Sequence, residues 1–189
     1  MKRSLSVLIA LLLLLSSTVG CNLTQEADFQ KGLEAYEKKG YEAALRGWRP
    51  LAEQGHAKAQ YELAGMYGKG EGVPKDYSMA VKWYTLAAEQ GYAKAQHELG
   101  TMYYDGTGVP QNLVYAHMWF NIAASQGYEV YHSYPILWRD RVAKEMTPSQ
   151  IEKAQDLAAE CEKKKYKGCD CFLVRKCSRN SSERKKDRI

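Results

Sequence analysis

Four cysteines near the C-terminus, Cys161, Cys169, Cys171 and Cys177, are the densest group of chemically capable side chains in the sequence. Four thiolates can hold zinc tetrahedrally, or four thiols can pair as two disulfides. The Cys-x-x-Cys knuckles common in zinc sites are missing. The export segment described below also delivers the chain to an oxidising compartment, which favours disulfides. The four histidines, His56, His97, His117 and His132, are scattered. They are expected at the surface or in a groove rather than as ligands. His97-Glu98 lacks the second histidine of a zinc-protease helix. Ser182-Glu-Arg-Lys185 has a Ser-x-x-Lys spacing, which can activate a serine. It lies in a charged run with nothing apolar to build a pocket. Gly70-x-Gly72 follows no strand, so it reads as a turn rather than a phosphate cradle. No nucleophile, base and orienting group stand together. The sequence therefore predicts no catalytic residue, no metal and no cofactor.

The elements that must position these residues are those of an ordinary folded chain. Of 189 residues, 45% are hydrophobic and 26% charged, with 14 Tyr and 4 Trp against 5 Pro. That balance suits helices with aromatic contacts better than a sandwich of strands. The net charge of +5 is unevenly placed. Lys2 and Arg3 contribute +2, and residues 162–189, with 11 basic and 4 acidic side chains, contribute +7. The body, 22–161, is left at −4. An acidic body with a basic tail is not a nucleic-acid-binding face, so no nucleic acid is expected as a partner.

Residues 1–20 read as a signal peptide. Lys2 and Arg3 form its positive start, and Val7–Leu15 is an apolar run of nine residues, too short for a comfortable membrane span. Thr18-Val19-Gly20-Cys21 resembles the lipobox of bacterial lipoproteins, with Thr18 where an aliphatic residue is usual. That likeness implies acylation of Cys21 and a lipid anchor, the alternative being plain cleavage near Gly20. Removing Cys21 from five cysteines leaves an even four. Asn22, in place of Asp, favours the outer membrane. The expectation is an exported, periplasmic chain, lipid-anchored to the outer membrane.

Internal repetition sets the fold. Shifted by 36 residues, Tyr61-Glu-Leu-Ala-Gly-Met-Tyr67 falls on His97-Glu-Leu-Gly-Thr-Met-Tyr103, and Gly70-Glu-Gly-Val-Pro74 on Gly106-Thr-Gly-Val-Pro110. Ala87-Ala-Glu-Gln-Gly91 matches both Leu51-Ala-Glu-Gln-Gly55 and Ala123-Ala-Ser-Gln-Gly127. Each unit reads as a helical hairpin. Ala59, Leu63 and Met66 share a face over 57–67, the glycines and Pro74 break the chain, and Asp76 or Asn112 caps the second helix. The alanines at 44/80/116 and 52/88/124 mark close helix crossings, with Trp48, Tyr84 and Phe120 filling the space between hairpins. Phe29, Leu33 and Tyr36 form one capping helix and Leu45, Trp48 and Leu51 another. Thr147-Pro148-Ser149-Gln150 starts a helix whose buried stripe is Ile151, Ala154, Leu157, Ala158 and Cys161.

The pattern Ala-x3-Leu-(Gly/Ala)-x-Met-Tyr, Gly-x-Gly-Val-Pro, Ala-Ala-x-Gln-Gly resembles the SEL-one-like (suppressor-enhancer-of-lin) repeat, a relative of the tetratricopeptide repeat, over about 41–128. Residues 139–160 resemble the C-terminal cap of bacterial members. The resemblance implies an all-α, right-handed α/α solenoid of hairpins with a 36-residue period. The expected divisions are the signal peptide 1–20, capping helices 22–56, repeats 57–92 and 93–128, C-terminal capping helices 129–166 and a basic tail 167–189. It implies a non-enzymatic scaffold that binds a protein or peptide of the envelope in a concave groove lined by the first helices. Tyr61, Glu62, His97 and Glu98 lie off the stacking stripe and are expected to line that groove, with the glutamates favouring a basic or amide-rich partner. The alternative implied by cysteine-rich relatives is a penicillin-binding or β-lactamase-like hydrolase. Those relatives also imply a Cys161–Cys169 disulfide, which leaves Cys171 to pair with Cys177.

Overall fold

The 36-residue pattern becomes a series of antiparallel helices. In the computed structural model, which describes residues 24–126 and 134–169, there are eight helices and no strand among the described residues. They are α1 (24–37), α2 (Tyr41–Glu53), α3 (Ala57–Lys69), α4 (Tyr77–Ala88), α5 (Ala93–Asp105), α6 (Leu113–Ser125), α7 (Tyr134–Ala143) and α8 (Pro148–Lys163). From α2 to α6 each helix packs on the next, and α7 and α8 both close over α6. The molecule is an α/α solenoid whose last hairpin is covered by two capping helices.

Local chemistry ends and starts each helix. Gly70 and Gly106 terminate α3 and α5 with φ of 78° and 69°. Only glycine adopts that left-handed backbone without strain, and each N–H closes on a carbonyl four residues back. Asp76 then accepts from the N–H groups of Ser78 and Met79 at 2.9 and 3.0 Å, and Asn112 does the same one unit later. Thr147 and Gln150 cap α8 reciprocally, with Pro148 in the first turn. His56 caps α3, its Nδ1 accepting from the Ala59 N–H at 3.2 Å. The sequence pattern did not suggest that role.

Packing follows the periodic small and large residues. Ala44, Ala80 and Ala116 are fully buried, as are Trp48 and Phe120. Ala124 and Tyr84 are only half-buried. A Cβ on Gly100 would stand 2.7 Å from the Phe120 ring, and one on Gly32 would collide with Trp48. The largest core side chains thus sit where the facing helix has given up its own. Gln60 and Gln96, both buried, repeat a polar tie in each unit. Gln60 donates to the Ala52 carbonyl and accepts from Gln90, and Gln96 donates to the Ala88 carbonyl and accepts from Gln126. Both partners are satisfied, so the tie sets the register of the hairpins at little desolvation cost.

A disulfide joins Cys161, at the end of α8, to Cys169, with Cα atoms 5.3 Å apart. The closed loop turns back on the solenoid. The Gly168 N–H donates to Glu89 at 2.7 Å, the Tyr166 ring lies over Gly91, and Ser125 donates to Glu162 at 2.7 Å. Solenoid units ordinarily touch only their neighbours. Here the disulfide-closed loop after the last helix reaches the turn between α4 and α5.

Candidate functional site

Between α3, α4 and α5 lies an open slot of about 240 Å³. Its walls are Gly65, Gly68 and Lys69 of α3, Tyr77, Ala80 and Tyr84 of α4, and Glu98, Thr101, Met102 and Asp105 of α5. Each wall follows from the repeat. Gly65 and Gly68 offer no side chain, so the slot opens beside them. A Cβ at either would meet only ordinary contacts, 3.7 Å to the Tyr84 hydroxyl and 3.8 Å to Ala80. Ala80 and Met102 give an apolar base. Tyr77, 40% exposed, stands at the mouth with Lys75 Nζ 4.6 Å from its ring centre.

The electrostatics of the slot are uneven. Glu98 is half-buried, and burial holds its carboxyl above the usual range while Lys69 partly opposes this. Among the described residues no hydrogen bond or ion pair reaches that carboxylate. Lys69 is occupied elsewhere: it donates to Tyr36 at 3.0 Å and lies 3.9 Å from Glu71. Burial, with Glu98 nearby, also drives the Tyr84 hydroxyl far up, so it stays a neutral donor. Glu62 is raised by burial as well, with Lys94 and Lys69 lowering it.

The four residues expected in a groove part company. Glu98 lines the slot. Glu62 is half-buried on the same helix as Gly65 but does not line it. Tyr61 is half-buried and packs its ring against Tyr84 and Tyr92 at 5.5 and 5.3 Å, so much of its surface serves helix contacts. His97 corrects the expectation: it is 7% exposed, belongs to the core and meets Phe120 at 5.2 Å. Burial depresses its pKa to about 4, so it is neutral at pH 7. His117 is likewise in the core. The physical reason is the cap: Trp138 of α7 stacks on Phe120 at 6.0 Å and closes over the unit that holds both histidines. The groove wall is corrected too, since α4 contributes Tyr77, Ala80 and Tyr84 beside the first helices. Sequence reasoning passed over Gly68, Tyr77 and Lys69. The signal available was the departure of Gly68 from Tyr104 one period later.

Cys21, Cys171, Cys177, His132, Ser182 and Lys185 lie outside the described residues. No group of three or more potential metal ligands occurs among the described residues, and no described helix is long and apolar enough to cross a membrane.

The repeat units are identified by comparison. Residues 57–92 and 93–128 each match the family model of the Sel1 repeat. A protective antigen of uropathogenic Escherichia coli, whose crystal structure displays an SLR fold, is similar at 28% identity and a TM-score of 0.69. That match covers 75% of this chain and 31% of the antigen. A Sel1 repeat protein from Oxalobacter formigenes is similar at 32% identity and a TM-score of 0.51, over 65% of this chain and 57% of that one. The chain thus spans less than two thirds of either relative. No curated protein matches it. Residues 57–92 and 93–128 are thus two tandem Sel1 repeats, folded as stacked helical hairpins over their described part.

Proposed function

We propose that the chain is a non-enzymatic scaffold of the bacterial cell envelope that holds a polypeptide segment of a partner along α3 and α5. Sel1-repeat proteins generally bind protein partners, which sets the class. The single observation that carries the reading for this chain is the slot beside Gly65 and Gly68. There the repeat gives up side chains, an exposed tyrosine marks the mouth, and a carboxylate has no hydrogen bond or ion pair among the described residues. Its volume is below the roughly 300–1,000 Å³ of small-molecule pockets. It suits one side chain of a polypeptide rather than a cofactor.

The export segment, with acylation at Cys21, would bring the scaffold to the outer membrane on a lipid anchor. Three acyl chains exceed the two signals that stable anchoring requires. A photocrosslinking residue at Tyr77, in intact cells, tests the groove. A polypeptide adduct that Gly68→Leu abolishes is expected; an adduct indifferent to Gly68→Leu, or none, rejects it. Fatty-acid labelling tests the anchor, and label persisting in Cys21→Ser would overturn it.

A further inference from the structure

We infer that the slot receives the side chain of a lysine or arginine from the bound segment, with its cationic head on the Glu98 carboxylate. This rests on the reading of the slot as a polypeptide site and names the chemistry it selects.

The slot is specific to one unit of the repeat. Gly65, Gly68 and Tyr84 in 57–92 correspond to Thr101, Tyr104 and Phe120 in 93–128. In the later unit Tyr104 sets its ring edge-on to Trp138 at 5.7 Å and donates its hydroxyl to Glu145 at 2.6 Å. The two units share the stacking positions and differ at the positions that shape the slot. Packing does not forbid a side chain at Gly65 or Gly68, since a Cβ at either meets only ordinary contacts.

The interior matches a long basic side chain. Ala80, Met102 and the Tyr84 ring line the depth, where an aliphatic stem can lie. Glu98 stands with Tyr84 and Thr101, and Asp105 adds a second carboxylate. Lys69 is the one cation among the lining residues, and its ammonium is engaged with Tyr36. The lining is therefore net negative. A half-buried carboxylate lacking a hydrogen bond is unfavourable in the free protein. A guanidinium or ammonium brought in by a partner gives it the charge-assisted bond that no described residue supplies. An acidic segment would face two carboxylates, and a purely apolar one would leave Glu98 buried and unpaired.

The test uses the purified chain and a phage-displayed library of random twelve-residue peptides. The enriched peptides are synthesised and titrated against the wild type, Glu98→Gln and Gly68→Leu, with circular dichroism confirming that each variant is folded. Enriched peptides should share a lysine or arginine flanked by apolar residues. Binding should fall at least tenfold in Glu98→Gln, in Gly68→Leu, and when the peptide's basic residue becomes norleucine. In Glu98→Gln the norleucine change should then matter little, because the pair is already broken. Peptides lost in Gly68→Leu but indifferent to Glu98→Gln and to norleucine would keep the groove and overturn the basic-side-chain assignment. Peptides indifferent to Gly68→Leu, or no enrichment at all, would overturn both.

Discussion

The two repeats of this molecule are built to one plan and finished differently. The unit 57–92 keeps Gly65, Gly68 and a half-buried Tyr84, and it is open between α3 and α5. The unit 93–128 puts Thr101, Tyr104 and a fully buried Phe120 at those places and lies beneath α7 and α8. Stacking positions must fit the next hairpin, so they stay alike. Positions off the stack are free to be filled where a cap covers them, or left empty where something else is to sit. In a solenoid, departures from the internal repeat therefore point to function better than the repeat itself does.

Acid breaks that contrast first on the covered side. His97 is neutral and buried, with a pKa near 4 against an ordinary 6.5. As pH falls, the unfolded chain takes up the proton first. The stability present above pH 6.5 is then lost between 6.5 and about 4, by up to about 3 kcal/mol. Glu62 and Glu98 act with the opposite sign: burial raises them, so their ionisation costs stability as pH rises past the ordinary carboxylate value. His117 and His56 shift in the same direction as His97. Urea unfolding of wild type and His97→Gln at several pH values isolates the one group. A wild-type minus variant difference that stays flat from pH 7 to 4 would refute it. The same burial means that Tyr61→Ala with His97→Ala would unfold the protein as well as probe a groove. Glu98 and Gly68 are the cleaner targets.

The disulfide-closed loop comes next, because it links the capped end to the open unit through Glu89 and Gly91. Cys161→Ser with Cys169→Ser should lower stability by about 2–3 kcal/mol on the chain-entropy model for a loop of this size. Amide exchange at 89–92 should rise with it. Unchanged exchange there would mean that the loop does not hold the α4–α5 turn.

Two glycine changes sharpen the contrast directly. Gly100→Ala places a Cβ 2.7 Å from the Phe120 ring and should cost about 1–3 kcal/mol despite the better helix former. Gly68→Ala meets only Ala80 at 3.8 Å and should stabilise by up to about 1 kcal/mol through helix propensity. Denaturant midpoints decide. Equal effects at the two sites would erase the distinction between a glycine required by packing and one that leaves a slot.

Much of this architecture is legible in the residues alone. The 36-residue period and its recurring alanines show when the chain is aligned on itself, and the glycine stops at 70 and 106, the Asp76 and Asn112 caps and the Thr147–Gln150 box are each set by interactions a few residues long. The signals of these stops and caps therefore lie within a few residues of one another. What only the tertiary structure decided depends on contacts far apart in the chain. His97 is core rather than groove because Phe120, itself covered by Trp138, packs on it. The slot takes a wall from α4, and the Gly168 N–H of the disulfide-closed loop lands on Glu89, 79 residues away in the chain. Helix periodicity says which face of a helix is apolar. Whether that face meets a cap, a neighbouring hairpin or open space is settled only when the hairpins stack.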